Sequence, residues 1–343
     1  MVDTMALLLP FIRSGRMTPT AAHPAAPDTD APHVPDDEVL LDAADPRLAP
    51  VLVAVARGEH APAAGLLGAT RAAREWERRD RYAVRLAAFA HSRPEWLHTW
   101  RTADPQDPHG LVVETQLAVD RAWRSPARVE ALRELSPLIT RAARSDDRDP
   151  VPWRIALDHA RGARAGHKYF EELWEAAVRR APHHYGCHVA ALRYLASWGQ
   201  DAHRACLDFA DRAAQDAPAD SFVQALPLRA AFTCLSGPRG VQVEPERLHA
   251  AADRAIALSA LLGPADPWPA PIRNLLIHVL ARLERPAEAL EQLRLNGPYA
   301  TSFPWERESD DPLGRFLQVR EEVRTAVAGA ARRPQRGHGG HAH

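Results

Sequence analysis

His184 and His188 stand four residues apart. That spacing puts two imidazoles on one face of a helix, where they bind a transition metal if further ligands join them. His183, Cys187 and His203 are close by in sequence, and His159 and His167 flank the preceding turn. If helix packing gathers them, His159, His184, His188 and His203 form the ligand set of a metal-assisted hydrolase. Against that alternative, Asp201 is the only acidic residue between His183 and His203, and an isolated H-x-x-x-H is a weak signal. The primary reading therefore assigns no metal, no cofactor and no catalytic residue. His338, His341 and His343 lie in a run of Arg, Gly, His and Pro that chelates weakly and reads as a flexible end.

Other chemistry is as sparsely marked. The chain has no phosphate-cradling glycine loop, no H-E-x-x-H, no G-x-S-x-G and no dinucleotide fingerprint. Its 343 residues carry a net charge of −1, with acids and bases interleaved, so there is no basic field for nucleic acid. Lys168 is the only lysine, and the Arg, Ala and Pro content reads as the coding bias of a high-GC genome. Three cysteines, Cys187, Cys206 and Cys234, form no C-x-x-C pair and point to a reducing, cytoplasmic setting. The apolar run Met5 to Ile12 is broken by Pro10, preceded by Asp3 and too short to span a bilayer, so neither a secretory signal nor a membrane partner is expected.

The elements that would position any site are helices. Six Asp-Pro pairs, at Asp45, Asp104, Asp107, Asp149, Asp266 and Asp311, read as helix starts. Asp accepts an orphan backbone N–H at the N-cap, and Pro suits the first helical position. Apolar stripes at helical spacing follow, among them Phe170, Leu173, Trp174, Ala177 and Val178. Others are Cys187, Ala191, Tyr194, Leu195 and Trp198; Leu275, Leu276, Val279, Leu280 and Leu283; and Phe316, Val319, Val323 and Val327. Gly240 to Glu244 alternates like a strand but follows a Gly-Pro-Arg-Gly break and reads as a loop, within the long inter-helix segment Ser236 to Glu244. Trp153, Trp174 and Trp198 fall on buried stripes, whereas Trp100, Trp268 and Trp305 lie near turns where exposure is expected. Residues 1–40 read as a disordered segment and linker, 41–331 as one helical-repeat domain, and 332–343 as a disordered tail.

The helices come in pairs closed by proline, at Ala181-Pro182 and Ala217-Pro218 among others, close to the length of a two-helix repeat. Pro286 through Leu293 resembles the second helix of a tetratricopeptide repeat. Trp153 to Pro182 is similar to a whole repeat carried by Trp153, Leu157, Leu173, Ala176 and Pro182, with Asp158 where the glycine of that family is expected. From Asp45 to about Arg320 the chain also resembles an uncharacterised family of helical-repeat proteins from high-GC bacteria. That likeness rests on Cys187-His188 through Trp198-Gly199, Ala202-His203, Phe209-Ala210, Gly297 through Thr301 and Phe303-Pro304-Trp305. The resemblance implies a fold and no activity. The expected architecture is all-α, a right-handed α-α superhelix of antiparallel pairs that touch mainly their neighbours and form an elongated arc. Its expected role is non-enzymatic: the concave groove holds a protein or peptide, with Arg154, Asp158, His188 and Arg193 lining it.

Overall fold

The computed structural model describes Pro35 and residues 38–198, 202–237 and 243–331. The run Met5 to Ile12, most of the 1–40 segment, part of the Ser236 to Glu244 loop and the histidine tail lie outside the described residues. What is described is helical, with 17 α-helices and two strands of two residues each. The chain divides into two compact units, one containing residues 44–243 and the other containing residues up to 43 together with 244 onward.

The first unit holds α1 (Ala49–Ala56), α2 (Ala61–Ala72), α3 (Trp76–Ser92), α4 (Glu95–Ala103), α5 (Pro108–Arg124), α6 (Arg128–Glu134) and α7 (Ser136–Ser145). It continues through α8 (Val151–Gly162), α9 (His167–Arg180), α10 (Tyr185–Ala196), α11 (Ala202–Asp216) and α12 (Leu226–Ser236). The Asp-Pro device works in several ways. Asp107 and Asp311 are true caps, accepting from His109 N–H at 2.7 Å and from Gly314 N–H at 2.9 Å. Asp149 accepts from Val151 N–H at 2.9 Å at the head of α8. Asp45 and Asp266 hold a turn one step ahead of the helix, through Leu48 N–H and Trp268 N–H. Asp104 heads no helix: it follows the end of α4 and accepts from Gln106 N–H in a turn, because Asp107 three residues on takes the cap.

Within this unit α3, α5, α8, α10 and α12 form a row in which each packs on the next. α9 folds back on α8, and α11 packs between α10 and α12. α3 also reaches α8 and α10. Two apolar cores result. One gathers Leu48, Leu67, Tyr82, Leu86, Trp96, Trp100 and Val113, and the other runs from Val112 through Ile155, Leu173 and Leu192 to Leu226. Trp100, expected at the surface, is buried: its indole N–H donates to Asp107 at 3.0 Å and its ring lies against His60 and Trp96. Trp198, expected in the core, is 54% exposed and stacks on His167 at 3.8 Å, because it follows the last turn of α10.

The second unit is β1 (Leu40–Leu41), α13 (Pro245–Ala260), α14 (Ala270–Arg282), α15 (Pro286–Asn296), β2 (Tyr299–Ala300), α16 (Ser302–Trp305) and α17 (Pro312–Ala331). Order begins before residue 41: Leu40, assigned by composition to the linker, pairs in parallel with Tyr299. Asp42 continues the contact by accepting from Ser302 N–H at 3.0 Å. Asn274 on α14 organises this corner. Its amide donates to the carbonyls of Ala270 and Tyr299, and its oxygen accepts from Thr301 N–H and from the Trp305 indole at 2.9 Å. Trp305 is thereby held fully inside. Gly297 turns the chain out of α15 at φ 61°, where a side chain is disfavoured and where a Cβ would press on Ala265.

One buried ion pair joins distant parts of the first unit. Arg79 Nε donates to Asp149 at 2.6 Å, with the two side chains 0% and 1% exposed, and Arg79 Nη1 also donates to the Leu67 carbonyl at 2.9 Å. Burial and the Arg79 charge hold the His109 pKa down to about 4, which leaves its Nδ1 bare to accept from Arg79 at 3.1 Å. Removing one partner of such a pair strands a charge in a dry site. Asp149→Ala should therefore lower unfolding stability by about 3–5 kcal/mol in urea titration. The exposed Glu322→Ala, which loses surface contacts with Arg315 at 3.6 Å and with the Gln318 amide at 2.8 Å, should change it by less than about 1 kcal/mol.

Candidate functional site

The densest group of ionisable side chains in the first unit lies where α3 meets α8 and α10. Arg154 on α8 donates from Nε and Nη2 to one oxygen of Asp80 on α3, at 2.9 and 2.5 Å. On its other side Arg154 Nη1 stands 3.7 Å from Asp158, one turn along its own helix. Asp158 in turn faces Arg161 at 3.5 Å and Arg193 of α10 at 3.8 Å. Burial would pull the Arg154 pKa down, but Asp80 and Asp158 outweigh it and raise it. Asp120 on α5 completes this side: burial raises its pKa, while Arg154 and the Gln116 amide, donating at 2.8 Å, oppose the rise.

The other half of the group caps α10. His184 is its N-cap, and Nδ1 stands 3.2 Å from both the Cys187 amide and the Cys187 sulfur. A bare Nδ1 accepts from the amide; a protonated one donates to the sulfur. Nε2 is buried without a hydrogen bond and lies 3.9 Å from Glu77 and 3.8 Å from Asp80. Each of those carboxylates uses its other oxygen elsewhere. Glu77 accepts from Tyr185 N–H at 2.5 Å, and Asp80 takes Arg154. Burial works against a charged His184, but Glu77, Cys187 and Asp80 prevail and its pKa is raised to about 10. Gly186 makes this approach possible, since any Cβ there would collide with the Asp80 carboxylate. Burial keeps Cys187 a thiol by raising its pKa, and raises that of Glu77.

The group is closed at its centre and open at its ends. Asp80, Arg154 and Asp158 are nearly covered, whereas Glu77 is 31% and Arg193 41% exposed at the side chain. Arg81, whose pKa burial lowers to about 10, belongs to the same surroundings, as its charge acts on Glu77 and on Tyr185.

Of the groove residues inferred from sequence, Arg154, Asp158 and Arg193 come together here. His188 does not. It points into the apolar core, with Nδ1 on the His184 carbonyl at 3.0 Å and the ring against Trp174 and Phe209, and burial drops its pKa to about 4. The histidine set of the hydrolase alternative is dispersed. His159 Nε2 lies 2.7 Å from the Leu132 carbonyl and His203 is buried at the start of α11, while His184 faces carboxylates. Among the described residues no group of three or more His, Cys, Asp or Glu is arranged to hold a metal ion. Helical spacing put His184 and His188 within a turn of each other, but one is a cap and the other a core residue. Sequence reasoning missed Glu77 and Asp80. The only signal was the mixed-charge run Arg74 to Arg81, which equally describes a solvated helix face.

Comparison with family models, curated proteins and solved structures yields no match. Among the described residues no helix is long and apolar enough to cross a membrane.

His184 gives the site a pH signature. Its pKa is raised from 6.5, so its contribution to stability is full below about 6.5 and is lost as pH rises through about 10. His184→Asn keeps an N-cap acceptor but cannot carry charge. The stability gap between wild type and this variant, read by urea denaturation, should shrink from pH 7 to pH 10; a constant gap would assign His184 to capping alone.

Proposed function

We propose that this is a non-enzymatic binding protein whose first unit is a degenerate tetratricopeptide-like stack, and that it holds a peptide segment or protein partner in a cytoplasmic assembly. The observation that carries the reading is the row α3, α5, α8, α10 and α12, in which charged side chains of α3, α8 and α10 form one linked set ending in the part-exposed Glu77 and Arg193. Linked charges with solvent-reaching ends are suited to recognising a polar chain, because complementary charge fixes register and speeds encounter. The pairing of α8 with α9 over the segment resembling a whole repeat supports the same view. So does the dispersal of the histidines, which leaves the hydrolase alternative without its ligand set.

The test is a peptide-display library panned against the full-length chain, with enriched sequences measured by calorimetry. Enriched peptides should share a charge pattern, and Arg193→Glu should weaken them at least about tenfold, equivalent to about 1.4 kcal/mol. Glu77→Gln, which retains an acceptor for Tyr185 N–H, should weaken them less while leaving the fold intact. Failure to enrich any sequence, or peptides indifferent to both substitutions, would sink the proposal.

A further inference from the structure

α11 and α12 pack against each other, and a contact at their far ends fixes how they face. A Cβ on Gly237, just beyond α12, would lie 3.1 Å from His203 Cε1 at the start of α11. The helices are therefore antiparallel. Three residues forward from His203 is Cys206, and three residues back from Gly237 is Cys234. On opposed helices, positions one turn from a shared contact face each other. Both side chains join one apolar cluster, Cys206 within it and Cys234 packed against it. Cys206 is buried and Cys234 half-buried, and both are thiols.

We propose that Cys206 and Cys234 are a redox pair that closes a disulfide between α11 and α12 when the protein meets a peroxide. The Cα separation a disulfide needs, about 4.4–6.8 Å, is within reach of facing positions on packed helices. Cys234, the more accessible, reacts first: its thiolate attacks one peroxide oxygen, the O–O bond breaks, and a sulfenic acid and hydroxide form. Cys206 then attacks the Cys234 sulfur, the S–O bond breaks, and the departing hydroxide takes up a proton as water. In sum two thiols give up two electrons and two protons, and the peroxide becomes two waters. Cys206 must leave a weak contact with the Leu192 carbonyl at 3.9 Å. Burial and the neighbouring Cys234 raise its pKa to about 12, so little of it is thiolate at neutral pH and the closing step is slow. The product ties the last turns of α12 to the first turns of α11.

The experiment is mild hydrogen peroxide treatment of the full-length protein, followed by alkylation and peptide mapping without reduction. A Cys206–Cys234 cross-linked peptide, two hydrogens lighter than its parts, is expected. It should form faster at higher pH, by about tenfold per unit between pH 7 and 9 as thiolate grows. Cys234→Ser, at the half-buried position, should abolish the cross-link while circular dichroism stays unchanged. Over-oxidation of Cys234 with Cys206 still alkylatable after unfolding would overturn the pairing, as would a disulfide that includes Cys187.

Discussion

The guanidinium of Arg154 is the constraint on which the first unit depends. It sits between carboxylates of two helices, Asp80 of α3 and Asp158 of α8, in a place almost closed to water. A charge there is tolerable only while both sides are compensated. Asp80 is committed as well, with one oxygen held by Arg154 and the other turned toward His184 across the close approach at Gly186. Each helix thus supplies a charge that another requires, and α3, α8 and α10 cannot slide independently. The 2.6 Å Arg79 to Asp149 pair repeats the principle at the head of α8.

In the second unit one buried guanidinium is held without a carboxylate. Arg273 is fully buried and donates to the Ser259 hydroxyl and to the carbonyls of Ser259, Leu262, Gly263 and Leu295. Those carbonyls belong to the last turns of α13 and α15 and the chain beyond α13, where helix ends leave acceptors unused. Asn274, the next residue, does the equivalent for the segment from Tyr299 to Trp305. The buried Arg154 of the first unit is held by carboxylates and the buried Arg273 of the second by a hydroxyl and orphan backbone carbonyls.

That difference explains why the candidate site belongs to the charged lattice. Polar groups that only satisfy the backbone are used up; a chain of ion pairs ends somewhere, and its terminal members keep unsaturated valence. In the first unit those members are Glu77, whose second oxygen lies 3.9 Å from His184 Nε2, and Arg193, 3.8 Å from Asp158. The histidines follow another rule. Burial lowers the pKa at His188; at His184 the Glu77 and Asp80 carboxylates outweigh burial and raise it, whereas at His278 burial outweighs the single Glu308 carboxylate and lowers it.

By itself the sequence determined that the chain is helical, where most of its helices lie, and which faces they bury. The stripe Phe316 to Val327 is core, as is the stripe Leu275 to Leu283 except for the half-buried Leu283, because helical periodicity is a local property, and Asp107 and Asp311 cap because the acceptor and the N–H it serves are two or three residues apart. Tertiary structure decided everything that needs a partner far along the chain. The Asp80 to Arg154 bond spans 74 positions, the Glu77 to Tyr185 bond 108, and the Asp42 to Ser302 bond 260. Local pattern carries no record of such separations. Whether Trp100 is inside, whether His188 faces a groove or a core, and where α3 curls against α10 were settled by how long-range burial and charge compensation are satisfied together.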